Sequence, residues 1–99
     1  MSGDSPTPTS VILRRLLAER GIHRFALFLV QQEGRMLPDG VEAISGFVLT
    51  DSDVYGFWLD WDEGRGDFAL NPWYRVEDPA QLASDPEYQR AVAQLRLNQ

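Results

Sequence analysis

The sequence predicts an α+β domain: a four-stranded antiparallel meander sheet with an N-terminal helix and one or two C-terminal helices, in two layers. Three observations predict it. An amphipathic stripe near the N-terminus is bracketed by capping signals, four apolar stretches are separated by short turn-forming clusters, and two Asp-Pro steps near the C-terminus announce helix starts. A chain of 99 residues is expected to form a single domain over 7–99, behind a polar, proline-bearing lead at 1–6 that offers nothing to bury and is expected to be frayed.

The first helix can be capped by Thr7 before Pro8, or by Thr9 before Ser10, and Gly21 supplies a left-handed stop. Ile12, Leu13, Leu16 and Leu17 recur at three- and four-residue spacing while Arg14, Arg15 and Glu19 fall elsewhere, the pattern of a helix with one buried stripe.

Residues 23–32 read as the first strand. Phe25, Leu27 and Leu29 alternate with Ala26, Phe28 and Val30, so both faces are apolar and the strand is expected to be central or covered on both sides. Gly34 and the group Pro38, Asp39, Gly40 turn the chain through 33–42 toward a second strand at 43–50. Asp51 and Ser52 form a hairpin tip into a third strand at 54–61, and 63–66 form a second tip into a fourth at 67–74. Asp78 with Pro79 begins a short helix. Ser84 or Asp85, followed by Pro86 and Glu87, begins a longer one in which Tyr88, Ala91, Val92 and Leu95 share a face.

Register then sorts the side chains. Pairing Asp62 with Asp67 sets Trp61 opposite Phe68, Leu59 opposite Leu70, Phe57 opposite Pro72 and Tyr55 opposite Tyr74; pairing Leu49 with Val54 adds Ile44, Gly46 and Val48 to the same side. This is the expected core face, which the two helices can cover. The opposite face carries Phe47, Leu49, Val54, Trp58 and Trp73 among Ser45, Asp60, Ala69, Asn71 and Arg75. There Trp58 and Trp73 are expected to form an aromatic platform with Arg75 at its rim. So apolar a face calls for a cover: a helix on that side, a second copy of the chain, or a ligand. The candidate interface or ligand platform is therefore Phe47, Trp58, Trp73 and Arg75, and aromatic anchors on a self-complementary sheet face suit a two-fold dimer.

Composition narrows the chemistry. Nine arginines, no lysine and fifteen acidic residues give a net charge of −6, which repels phosphate, and the arginines are spread singly apart from Arg14 and Arg15; no nucleic-acid partner is expected. Without lysine there is no lysine Schiff base, and without cysteine there are no disulfides, thiolate nucleophiles or cysteine-bound metals. The longest apolar run, 25–30, has six residues against the roughly 20 that a membrane-spanning helix needs. No membrane partner is expected, and the location is read as cytoplasmic.

No catalytic motif emerges. Asp60, Asp62 and Asp67 share a face in this register and their oxygens would suit magnesium or calcium, but Gly64 and Arg65 stand where an EF-hand loop needs an oxygen ligand and a glycine. They are read as solvated hairpin acids, so no metal and no cofactor is expected. His23, the sole histidine, begins a strand with no thiol to activate, and no serine sits in a Gly-x-Ser-x-Gly setting. Arg65, Gly66 and Asp67 spell an integrin-ligand tripeptide, read as a chance occurrence. The expectation is a non-catalytic protein-interaction or regulatory domain that partners itself as a homodimer, or another protein as an assembly subunit. The alternative is a small-molecule-binding domain, catalytic or not, built on the aromatic platform.

Overall fold

The computed structural model describes residues 7–97; the expected frayed lead at 1–6 and the last two residues lie outside them. Helix α1 (Pro8–Ala18) starts where the caps predict: the Thr7 hydroxyl oxygen accepts the Ser10 N–H at 3.1 Å, and proline occupies the first turn, where its missing N–H costs nothing. Gly21, at φ 78°, lets the chain reverse after the helix. Four strands follow, β1 (Ala26–Met36), β2 (Glu42–Leu49), β3 (Val54–Asp62) and β4 (Asp67–Arg75), and then α2 (Pro86–Leu97). Short 3₁₀ turns, Pro38–Gly40 and Pro79–Leu82, stand before β2 and α2. The strands form one antiparallel sheet in the order β1-β2-β3-β4, the expected meander.

Turn chemistry fixes the hairpins. Between β2 and β3 the Thr50 hydroxyl oxygen accepts the Asp53 N–H at 3.0 Å while the Thr50 N–H donates to the Asp53 carbonyl at 2.9 Å. Between β3 and β4 the Asp62 carboxylate accepts the Gly64 and Arg65 N–H groups at 3.0 and 3.3 Å.

The helices lie on opposite sides of the sheet, which corrects the expected two-layer arrangement with both helices over one face. On one side, Leu13, Leu16 and Leu17 of α1 pack against Ile44, Val48, Phe57, Leu59, Phe68 and Leu70. Burying each leucine contributes about 2 kcal/mol. On the other side, Ala91 and Leu95 of α2 pack against Ala26, Phe28, Leu49 and Val54. The physical reason is in β1 and β2: both of their faces are apolar, and the stripe of α1 already fills one of them. β1 is accordingly covered on both sides over its first half, as expected, but it is an edge strand rather than a central one. It also runs through Gly34 to Met36, so the reversal comes later than the sequence predicts, at Pro38–Gly40.

Register agrees with expectation from Asp62↔Asp67 to Leu59↔Leu70 and then departs from it. The next pair is Phe57↔Trp73, followed by Gly56↔Tyr74 and Tyr55↔Arg75. Three steps along β4 match two along β3, so β4 carries one extra residue in a bulge at Asn71 and Pro72, whose peptide bond is cis. Proline cannot donate to a ladder, and a bulge on an edge strand is where a sheet tolerates it.

Candidate interaction surface

That single bulged residue turns every later side chain of β4 to the other face. Trp73 lies on the α1 side, where its ring stacks on Tyr55 with centroids 4.8 Å apart and the Arg20 guanidinium sits 4.9 Å above it. The Tyr55 hydroxyl reaches the Asp53 carboxylate at 3.4 Å, and Arg75 pairs with the same carboxylate at 3.4 Å. Two of the four candidate platform residues, Trp73 and Arg75, are thus part of a structural lattice that ties the end of α1 to β3 and β4. The expected Trp58–Trp73 platform does not form, because the two indoles are on opposite faces.

Phe47 and Trp58 share the second face but not the same surroundings. Phe47 is half-buried beneath α2 and stacks on Phe28, with centroids 5.7 Å apart, while the Tyr88 ring of α2 meets Phe28 edge-on. The helix covers the β1 and β2 part of this face and the start of β3 at Val54. Beyond it Trp58 is 41% exposed. On the adjacent strand Tyr74 is 50% exposed, and the bulge places it opposite Gly56, two positions from Trp58 on the same face. A Cβ on Gly56 would run into the Tyr74 ring, so glycine there gives the ring a bed on the sheet. Directly opposite Trp58 on β2 is Ser45, small and buried. Sequence reasoning assigned Tyr74 to the core face, although Pro72 in the middle of a strand was a signal of the bulge that moves it.

The acidic residues of the second hairpin are separately engaged. Asp60, on the Trp58 face, pairs with Arg35 at 3.1 Å and accepts the Trp61 N–H at 2.7 Å; the Arg35 contact first, then the amide, hold its carboxyl below the usual range. Asp67 pairs with Arg15 of α1 at 2.9 Å and accepts the Phe68 N–H at 2.8 Å, and the Arg15 hydrogen bond is the main reason its carboxyl also sits low. Asp62 caps its turn. Among the described residues no group of three or more acidic or histidine side chains comes together to hold a metal.

His23 is exposed in the loop between α1 and β1, where it lines two open concavities of about 460 and 440 Å³ with Arg24. Arg24 works as a tie. It donates to both Asp51 oxygens, at 2.8 and 2.6 Å, and to the Leu95 carbonyl at 3.0 Å, joining the first hairpin tip to the last turn of α2. Of the five concavities described, none is lined by Trp58, Tyr74 or Trp73. No helix of the described residues is long and apolar enough to cross a membrane. Comparison with family models, curated proteins and solved structures finds no match to this chain.

Proposed function

We propose that this chain is a non-catalytic protein-interaction domain that acts as a homodimer, taking a second copy on the open half of its second sheet face around Trp58 and Tyr74. The observation that carries the reading is the exposure of these two large aromatic side chains together, on adjacent strands of a rigid sheet. An aromatic residue buries roughly 150 to 250 Å² when covered, and aromatic anchors are what protein interfaces select. The surroundings have the anatomy of an interface, with an aromatic centre, the Arg35–Asp60 ion pair beside it, and a sheet face that a two-fold axis can set against itself.

The exposure of Trp58 and Tyr74 on an open sheet face favours a docking surface over the small-molecule alternative, which calls for a concave pocket. A chain without cysteine suits a reducing, cytoplasmic setting.

Sedimentation equilibrium over a wide concentration range tests the reading. The wild type is expected to self-associate, and Trp58→Ala to weaken association at least about 30-fold, the loss typical of a hot-spot residue. Neutralising Asp51, Asp53 or Glu63 is expected to change it far less. A wild type that stays monomeric at millimolar concentration contradicts the reading.

A further inference from the structure

The two edges of the sheet are treated differently. β4 contains Pro72, which has no N–H to donate to a further strand, whereas β1 contains no proline. β1 is 11 residues long and pairs on one side only among the described strands. Over 25–32 it carries no charge, and Leu29 and Val30 are 40% and 61% exposed. Such an edge is a template for another strand.

We propose that β1 pairs antiparallel with β1 of a second copy, about a two-fold axis between Val30 and Gln31. Parity in β1 supports a copy of the chain as the occupant. Its register against β2 shifts between Leu29 and Gln31, and again between Gln32 and Met36, where Gly34 has φ 71°. Before the first shift, odd-numbered residues face the α1 side, with Leu27 opposite Val48 and Leu29 opposite Gly46; after it, even-numbered ones do, with Gln32 opposite Ile44 and Met36 opposite Glu42. An added antiparallel strand must set residues of the same face opposite one another. A strand whose parity switches at its middle meets that demand when paired with itself across the switch. Leu29 then stands opposite Gln32 of the second copy, and Val30 opposite its Gln31.

The stretch beside the axis is Leu29, Val30, Gln31 and Gln32, so two chains of net charge −6 meet along an uncharged seam. This contact is independent of the Trp58 face, and two isologous contacts on one chain build assemblies larger than a dimer.

Sedimentation equilibrium of the full chain as wild type, Val30→Lys, Trp58→Ala and the double variant tests the edge, with Gln31→Lys as a second edge variant should Val30→Lys fold poorly by circular dichroism. Each edge variant puts two like charges beside the axis and is expected to raise the dissociation constant at least about tenfold. In the wild type, amide exchange at 27–32 is expected to slow as protein concentration rises, and in the edge variants to stay fast. Association lost in the edge variants and kept in Trp58→Ala supports the edge and overturns the Trp58 face. The reverse pattern overturns the edge and leaves the face standing. Association halved in mass by either change supports both, and a wild type that is monomeric throughout overturns the edge together with the face.

Discussion

Trp73 stacks on Tyr55 with a centroid separation of 4.8 Å and an interplanar angle of 12°, on the side of the sheet away from Trp58. The indole is clamped between that ring and Arg20, so the two tryptophans, alike in the sequence, carry different loads. Trp73→Ala is expected to destabilise the fold by about 3 kcal/mol, because it removes a packed indole and leaves Tyr55 and Arg20 without their partner. Trp58→Ala, at an exposed site, is expected to cost under about 1 kcal/mol in dilute solution. Urea unfolding of both variants at low micromolar concentration checks this, and equal losses would place both indoles in the core.

Two strand glycines make a second contrast. A Cβ on Gly46 would run into the backbone of β1 at the Phe28 carbonyl and come within 2.8 Å of the Leu29 Cα, whereas on Gly56 its nearest contacts would all be with the exposed Tyr74 side chain. Backbone cannot swing aside; a surface ring can. Gly46→Ala is expected to destabilise by about 3 kcal/mol or to prevent folding, and Gly56→Ala by about 1 kcal/mol with Tyr74 displaced. Thermal unfolding of the pair is the check, with Gly56→Ala as the milder change.

Arg24 anchors the last turn of α2. Arg24→Ala removes its bonds to Asp51 and to the Leu95 carbonyl, and is expected to lower stability by about 1 kcal/mol and speed amide exchange in α2 more than in β2 and β3. Arg24→Lys is expected to restore little, since one ammonium cannot span the two acceptors as the guanidinium fork does. Hydrogen exchange read element by element distinguishes this from uniform loosening.

Acid should weaken the fold through Asp60 and Asp67. Their folded carboxyls sit below the ordinary value, held chiefly by Arg35 and Arg15, while in the unfolded chain they return to about 3.9. The stability they contribute is therefore complete above about pH 4 and is lost as pH falls through the lower folded values. Asp67→Asn is expected to flatten the acid limb of the stability profile slightly and to lower stability at pH 7 by the same small amount, because the Arg15 pair is exposed and screened. Denaturant midpoints measured from pH 2 to pH 7 on wild type and variant give the comparison.

Local chemistry made most of the fold legible. Thr7 and Gly21 bounded α1, the Asp-Pro steps located the 3₁₀ turn and α2, and turn residues placed the two tight hairpins. Which side α2 lies on was not legible, since a stripe such as Ala91 and Leu95 fits any apolar face and only the volume already filled by α1 decides it. The site was half legible for a different reason. Trp58 and Phe47 were assigned to the correct face, but one extra residue at Asn71 and Pro72 sent Trp73 and Arg75 to the other side and brought Tyr74 into their place. A strand period of two carries every count forward, so a single unrecognised bulge inverts all that follows it.

The most direct measurement of the proposed interface is hydroxyl-radical footprinting of tryptophan oxidation as a function of protein concentration. Trp58, 41% exposed in the single chain, is expected to become protected as concentration rises through the association range, while Trp73 and Trp61, packed on the α1 side, stay unchanged and serve as internal controls. Oxidation of Trp58 that is the same at every concentration, in a protein shown to associate, would contradict a contact through this face.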